Sequence, residues 1–201
     1  MSVQASENRE DFATVAAAAR ACQLCAPQLA HGVRPVFQGS ATARILIAGQ
    51  APGVRVHTSG LPFDDASGER LRAWLGLARD VFYDASRIAI VPMGFCFPGS
   101  GKSGDLPPRR ECAPLWRARL LAAMPDIRLT ILLGQYAAAW HVPHSGKAPL
   151  GALVAEWRQH LPALVVLPHP SPRNALWLHR HPWVEADIVP ALQTRVRTVL
   201  G

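Results

Sequence analysis

The 201-residue sequence lacks any apolar run of about 18 residues, and its first twelve residues, MSVQASENREDF, contain no apolar signal core. We therefore expect neither a membrane span nor a signal peptide, and we expect a cytoplasmic protein. Acidic residues are also few, because 14 Asp and Glu stand against 21 Lys and Arg and give a formal net charge of +7. This excess suits a polyanionic partner such as nucleic acid or an anionic membrane surface, although a merely soluble basic protein has the same composition.

Cysteine is scarce, and only two of the four cysteines form a C-x2-C pair. Cys22 and Cys25 form that pair, while Cys96 and Cys112 are separated by fifteen residues. Disulfides are rare in cytoplasmic proteins, so metal ligands or free thiols are the expected roles. Structural zinc sites often have two C-x2-C pairs, and the usual ferredoxin spacings are absent here. The residues alone leave open a zinc site and four unrelated buried thiols.

Four short apolar runs at wide intervals predict β-strands: RILIAG, RIAIVPM, LTILLG and ALVVLPHP. Helical patterns lie between them in GERLRAWLGLA, RRECAPLWRARLLAAM and YAAAWHV. An alanine-rich helix precedes the first strand, and a last amphipathic helix, EADIVPALQTRVRTVL, is expected to be interrupted at Pro190. Buried strands that alternate with helices predict an α/β protein. We expect one domain over residues 1–201, a three-layer α/β/α sandwich around a four-stranded, mainly parallel sheet.

Three of the predicted strands end in chemically distinctive loops. They are GQAPG after the first strand, PMGFCFPG after the second and PHPSPRN after the fourth. In open parallel sheets, ligands bind beyond the carboxyl ends of the strands, so these loops predict one shared site. The long first loop, GQAPGVRVHTSGLPFDDASG, contains neither a G-x-G-x-x-G nor a G-K-[ST] phosphate signature. A ligand other than a nucleotide's phosphates is therefore expected there.

Four motifs in this order resemble the iron–sulfur group of the uracil-DNA glycosylase superfamily. They are the four cysteines at their spacing, GQAPG at 49–53, GLPF at 60–63 and HPS at 169–171. The resemblance covers most of the chain from Cys22 to the last helix. It implies a monomeric DNA-repair enzyme that flips uracil out of DNA and hydrolyses its N-glycosidic bond, leaving an abasic site. It also implies a [4Fe–4S] cluster bound by Cys22, Cys25, Cys96 and Cys112, with residues 1–43 as the N-terminal cluster-binding segment.

The resemblance also implies roles for individual residues. His169 would donate a hydrogen bond to a uracil carbonyl and so stabilise the departing anion. Phe63 would stack on the base, although a core aromatic is an equally ordinary interpretation. The loop residues that approach the base and its phosphate would be Gly49, Ala51, Pro52 and Gly53. The DNA backbone and minor groove would be contacted by Ser171, Pro172, Arg173, Lys102, Arg109 and Arg110, although the basic GKSGDLPPRR stretch is also typical of a solvated loop.

The first loop departs from the family pattern because it contains no carboxylate in its motif. Ala51 stands where the best-known superfamily members have a water-orienting Asp, and Gln50 stands where the iron–sulfur group usually has Glu. Asp64 and Asp65 are the nearest carboxylates in sequence, and Gln50 is the remaining polar side chain of the motif. These three side chains, together with backbone groups of the loop, are the candidates for positioning the water, while N-capping of the following helix is the alternative role for the two aspartates.

A second departure concerns recognition of the base. Pro92 lies where the family usually has an Asn that contacts the uracil edge, and proline has no N–H to donate. Backbone groups of Met93, Gly94 and Phe95 are then expected to contact the base, and other deaminated bases join uracil as candidate substrates. Two other functions stay open: a catalytically weak iron–sulfur DNA-binding protein that recognises altered bases, and a zinc-stabilised α/β hydrolase. The sequence contains no G-x-S-x-G motif to support the hydrolase.

Overall fold

A parallel sheet forms the centre of the computed structural model, which describes residues 10–102, 104–143 and 148–201. The strands are β1 (Ile45–Ala48), β2 (Ile88–Ile90), β3 (Ser100–Gly101), β4 (Gly104–Asp105), β5 (Leu129–Leu133) and β6 (Leu164–Leu167). The main sheet has the order β2-β1-β5-β6, and every neighbouring pair in it is parallel. Strands β3 and β4 form a separate short antiparallel pair. All four predicted strands and the α/β class are confirmed.

Successive side chains of β1 pack into two separate hydrophobic cores. Ile45 and Ile47 of β1 belong to the larger core, together with Leu71 and Trp74. Leu46, which lies between them in the strand, belongs to the second core. Because successive strand side chains point to opposite faces, this split means that the sheet is covered on both sides. The apolar sequence runs therefore fold as strands that are buried on both faces.

Ten α-helices flank the sheet within the described residues. They are α1 (Phe12–Arg20), α2 (Val54–Ser59), α3 (Ala66–Leu75), α4 (Arg79–Tyr83), α5 (Ala118–Ala122), α6 (Gln135–His141), α7 (Leu150–Ala155), α8 (Trp157–His160), α9 (Ala175–Arg180) and α10 (Val189–Leu200). Short 3₁₀ segments occur at Ala26–Gln28 and Pro172–Asn174. In the described part of the chain, no helix is both long and apolar enough to cross a membrane.

The last helix is not interrupted at Pro190, contrary to the prediction from the sequence. A π-helical turn over Val184–Ile188 leads directly into α10, and Pro190 is the second residue of α10. Proline lacks the N–H that an α-helix needs in its interior but is tolerated in the first turn. The wider turn before Pro190 thus lets the chain stay helical from Val184 to Leu200.

Candidate active site

A cleft of about 690 Å³ opens where the predicted loops converge at the carboxyl edge of the sheet. The loop after β1 lines it with residues 49–53, and the loop after β2 contributes Pro92. The loop after β6 contributes His169 and residues 171–174. Residues far apart in sequence thus form one concave site, in the place where open parallel sheets bind ligands.

Phe63 lies in the wall of this cleft with an uncommon backbone conformation. Its φ is 55°, and it is the only residue other than glycine with a positive φ among the described residues. The hydroxyl of Tyr83 donates to the Phe63 carbonyl at 3.3 Å. A Cβ on Gly68 would lie 1.8 Å from the same carbonyl oxygen, so helix α3 packs directly on this turn. Strained backbone held by its surroundings is often found at functional sites.

His169 faces the same space as Phe63. The two rings have centroids 6.1 Å apart and planes inclined by 27°. The Asn174 side chain donates to the His169 carbonyl at 2.7 Å and so fixes the loop after β6. Burial lowers the pKa of His169 from its usual 6.5, and the charges of Asp65 and Asp105 oppose this shift. The imidazole is therefore neutral at pH 7 and can donate one N–H hydrogen bond into the cleft.

Gln50 does not point toward open solvent but binds the loop at 99–106. Its side-chain amide donates to the Leu106 carbonyl at 2.8 Å and approaches the Asp105 carbonyl at 3.4 Å. On the opposite side, a Cβ on Gly104 would lie 2.8 Å from Arg173 Nη1. Residues 104–106 therefore lie between the loop after β1 and the loop after β6.

Asp105 lines the cleft, and the sequence did not identify it as a site residue. Its Oδ2 lies 3.3 Å from the position of a Cβ built on Gly53, within the GQAPG motif. Its Oδ1 accepts a hydrogen bond from Ser100 Oγ at 3.0 Å. In the sequence, Asp105 lies in the basic GKSGDLPPRR stretch that was predicted to contact the DNA backbone, and only the structure shows that its carboxylate lines the cleft.

The two aspartates after Phe63 have different surroundings. Asp65 is the N-cap of α3, where its Oδ1 accepts from the Gly68 N–H at 2.9 Å, and it also lines the cleft. Asp64 instead binds Arg79 at 3.0 Å and is not among the residues that line the cleft. Of the two aspartates, only Asp65 is therefore placed to contact a ligand there.

Met93, Gly94 and Phe95 are not brought to the cleft that the described residues form. The Met93 and Gly94 N–H groups donate to the carbonyls of Gly49 and Gln50, at 2.8 Å and 2.9 Å. Met93 and Phe95 are also buried, and Gly94 and Phe95 line a different cavity. The backbone donors expected to contact the base thus support the loop after β1 instead, because that loop packs directly on them.

A buried guanidinium holds the segment that contains Pro92. Arg117 is fully buried and donates to the carbonyls of Val91 and Pro92, and its Nη2 lies 2.6 Å from His141 Nε2. Burial and the Arg117 charge lower the pKa of His141 to about 4. A neutral His141 accepts a hydrogen bond from Arg117, whereas a protonated one would repel it.

We expect this pair to make stability depend on pH. Because the folded-state pKa of His141 is about 4 and its usual value is 6.5, the unfolded chain binds more protons between these values. Stability should be fully present above about pH 6.5 and fall as the pH drops toward 4. The measurement is the melting temperature from pH 7.5 to 4 for the parent and His141→Gln. A variant with the parent's full pH slope would contradict the assignment.

The predicted DNA-binding cations separate into two groups. Arg173 lines the cleft beside Ser171 and Pro172, and Arg55 joins them from α2. Lys102 and Arg110 are exposed but do not line the cleft within the described residues. Arg109 binds Glu111 at 2.8 Å and lines the cavity beside the cysteines. Of these five cations, Arg55 and Arg173 therefore lie at the candidate site, as far as the described residues show.

All four cysteines line one cavity between α1 and the loop after β2. The Phe95 N–H donates to Cys112 Sγ at 3.4 Å, and burial raises the pKa of the Cys112 thiol to about 12. Two other lining residues, Arg109 and Trp116, have buried N–H groups without a partner in the described part of the chain. In those same residues, no group of three or more His, Cys, Asp or Glu side chains is already arranged to hold a metal ion.

The architecture and the cleft agree with a comparison of the whole chain against known families. A family model described as "Uracil DNA glycosylase superfamily" matches residues 36–193. The matched range contains all four strands of the main sheet and every loop that lines the cleft. The chain therefore belongs to the uracil DNA glycosylase superfamily, a membership that implies DNA binding and DNA glycosylase activity.

Proposed function

We propose that this protein excises uracil from DNA by hydrolysing the bond between the base and deoxyribose. It would act as a monofunctional glycosylase that leaves an abasic site in an intact strand. The observation that carries the proposal is the placement of His169 and Phe63 in one cleft at the carboxyl edge of the sheet. This cleft lies inside the domain that matches the superfamily.

The cleft is suited to a nucleotide that has left the base stack. Enzymes that act on a base in duplex DNA flip it out, which requires a few kcal/mol. In the cleft, Phe63 would offer an aromatic face to the base, and its fixed backbone would keep that face in place. The backbone of Gly49, Ala51, Pro52 and Gly53 would approach the nucleotide closely, and Ser171 and Pro172 would contact the DNA strand.

His169 would act on charge that appears only as the bond breaks. The electron pair of the C1′–N1 bond leaves with the base, so negative charge develops on the uracil carbonyls. A neutral imidazole N–H aimed at such a carbonyl stabilises the transition state more than the bound substrate. The lowered pKa of His169 keeps the ring in this donor form without adding a full positive charge beside the developing sugar cation.

The range of bases depends on which groups replace the missing Asn. Pro92 lines the cleft but has no N–H, and the N–H groups of Met93 and Gly94 donate to protein carbonyls. Recognition of uracil would then depend mainly on shape, on Phe63 and on His169, which permits other deaminated bases such as hypoxanthine. Thymine should be excluded by its methyl group if the pocket fits the uracil ring closely.

Labelled oligonucleotides that contain one uracil, hypoxanthine or thymine test this function. After incubation with excess protein, alkali cleaves any abasic site, and strand scission reports excision. We expect scission at uracil, weaker scission at hypoxanthine and none at thymine. Tight binding of the uracil duplex without scission would instead favour a catalytically weak DNA-binding protein, the alternative to which Ala51 and Pro92 point.

We also propose that the four cysteines hold a [4Fe–4S] cluster. Four thiols around one cavity form the donor set that iron–sulfur clusters take, and hydrogen bonds to the sulfurs are usual at such sites. The unpartnered N–H groups of Arg109 and Trp116 fit that requirement, as does the Phe95 N–H that donates to Cys112 Sγ. When bound, the cluster would cross-link the N-terminal segment to the loop after β2 and would not transfer electrons during hydrolysis.

Iron analysis of protein purified without oxygen tests the cluster. We expect about four iron atoms per chain and a brown protein, as is general for iron–sulfur clusters. Cys112→Ser should lose iron and lower the melting temperature, because the cross-link is removed. Zinc without iron in the parent protein would refute the proposal. Excision by an iron-free protein would show that hydrolysis does not require the cluster.

Arg55 and Arg173 should account for part of the salt dependence of DNA binding. Removing one cation that binds a phosphate should reduce the slope of log affinity against log salt by about one unit. We expect this for Arg55→Gln and Arg173→Gln, measured by fluorescence anisotropy across salt concentrations. Arg158→Gln is the matched control, since Arg158 lies on α8, which precedes β6 at the opposite edge of the sheet. Equal slopes for all three variants and the parent would contradict this DNA-binding surface.

A further inference from the structure

We propose that Asp105 is the catalytic carboxylate that takes a proton from the attacking water, in place of the carboxylate missing from the GQAPG motif. The inference rests on the proposed glycosylase function and assigns one of its steps. Asp105 comes from the loop at 99–106, about fifty residues beyond the motif in sequence. The structure nevertheless places its side chain against that motif.

One hydrogen bond and two features of its surroundings describe the position of the Asp105 carboxylate. One oxygen, Oδ1, accepts from Ser100 Oγ at 3.0 Å, which fixes the orientation of the group. The other, Oδ2, lies 3.3 Å from the position that a Cβ on Gly53 would occupy. Asp105 also lines the same cleft as His169, and the two interact electrostatically. One carboxylate oxygen is therefore anchored while the second faces the motif loop.

The step requires only water and the substrate. The bond between C1′ of deoxyribose and N1 of uracil breaks, and both electrons leave on the base. A water oxygen then bonds to C1′, and one of its protons passes to Asp105 and from there to solvent. The uracil anion takes a proton from solvent, so the products are the abasic sugar and neutral uracil.

Asp105 is better placed for this step than the two aspartates after Phe63. Asp65 caps α3, because its Oδ1 accepts a hydrogen bond from the Gly68 N–H at 2.9 Å. That carboxylate therefore already has a structural role. Asp64 is bound to Arg79 and is not among the residues that line the cleft. Asp105 has no helix to cap, and its anchor is a serine hydroxyl in its own loop.

Gln50 acts as the positioning residue for Asp105. Its amide donates to the carbonyl of Leu106, the residue that follows Asp105. This hydrogen bond connects the loop at 99–106 to the motif. A glutamate at this position has no N–H to donate and would repel both that carbonyl and the nearby carboxylate. A glutamate at position 50 is therefore incompatible with this arrangement of the loop, whereas Gln50 maintains it.

Single-turnover excision of uracil from a duplex by saturating protein tests the assignment. Asp105→Asn keeps the shape of the side chain but removes the base, so we expect the rate to fall by about 10²–10⁴-fold, the usual contribution of general acid–base catalysis. The dissociation constant for the duplex should stay equal or decrease, because a negative charge near the phosphates is gone. Asp126→Asn is the matched control, since Asp126 is exposed and precedes β5 at the opposite edge of the sheet.

A double-mutant cycle separates positioning from a general structural effect. If Gln50 acts through Asp105, Gln50→Glu lowers the excision rate of the parent protein. The same change in the Asp105→Asn variant then lowers the rate little further. Melting temperatures of all variants show whether they fold. A folded Asp105→Asn variant that excises uracil at the parent rate overturns the proposal. A rate lower by about 10²-fold in Asp65→Asn, with no loss in Asp105→Asn, overturns it as well. A parent protein that excises no base at all would instead refute the proposed function.

Discussion

His169→Ala should lower the single-turnover rate of uracil excision by about 10²–10³-fold while leaving the affinity for the uracil duplex nearly unchanged. Removal of one preorganised donor to a developing anion typically has this effect, equivalent to about 2.7–4 kcal/mol of transition-state stabilisation. Binding should survive because the imidazole acts mainly on charge that is absent from the bound substrate. The measurement is rapid-quench excision at saturating protein, with affinity determined separately by anisotropy.

Two further variants make this result specific. His169→Gln retains a side-chain N–H donor at about the same distance, and we expect it to recover part of the lost rate. His160→Ala removes a histidine at the end of α8, just before β6 begins and at the opposite edge of the sheet, and should act like the parent. If His169→Ala excises uracil at the parent rate, the superfamily mechanism does not apply to this chain.

Gly68→Ala should destabilise the protein by about 3 kcal/mol, at the upper end of the usual range for overpacking. The added Cβ would lie 1.8 Å from the Phe63 carbonyl oxygen and 2.9 Å from the Phe63 Cβ, so backbone must move. A loss of this size corresponds to a melting temperature lower by roughly 6–12 °C in a chain of this length. Excision should fall as well, because the displaced residue is the one proposed to stack on the base.

Gly151→Ala is the matched control for this experiment. Gly151 also lies in the first turn of a helix, α7, but a Cβ there would meet its nearest neighbour, Trp177, at an ordinary 3.5 Å. Alanine is favoured over glycine in helices by up to about 1 kcal/mol, so this variant should be as stable as the parent or slightly more stable. A Gly68→Ala protein that melts with the parent would show that α3 does not fix the turn at Phe63.

The sequence predicted the sheet and the convergence of its loops on one cleft for a simple physical reason. The strands are buried on both faces and therefore appear as continuous apolar runs, as in the stretch from Ile45 to Ala48. The loops that follow parallel strands must meet at one edge, so the cleft formed by the loops with GQAPG and HPSP was predictable. The roles predicted for His169 and Ser171 in these loops came from the family resemblance and not from the topology.

Other features depend on tertiary contacts that no local pattern records. The strained turn at Phe63 requires Gly68 and Tyr83, which lie five and twenty residues away. Asp105 directly follows a stretch, GSGKSG, that matches G-x-G-x-x-G by letter. In the structure, residues 100–101 and 104–105 form the β3–β4 pair and not a strand-to-helix turn. The short helix α2 was missed because its six residues are too few for a clear helical period.

Excision of uracil in water enriched in ¹⁸O tests the central claim most directly. A duplex with a single uracil is incubated with the protein in H₂¹⁸O, and the products are analysed at once by mass spectrometry, before the abasic sugar exchanges its oxygen. The account predicts free uracil without the label and a full-length strand whose abasic sugar contains one ¹⁸O atom. A duplex that is bound but recovered with its uracil intact would contradict the assignment of this protein as a hydrolytic uracil-DNA glycosylase.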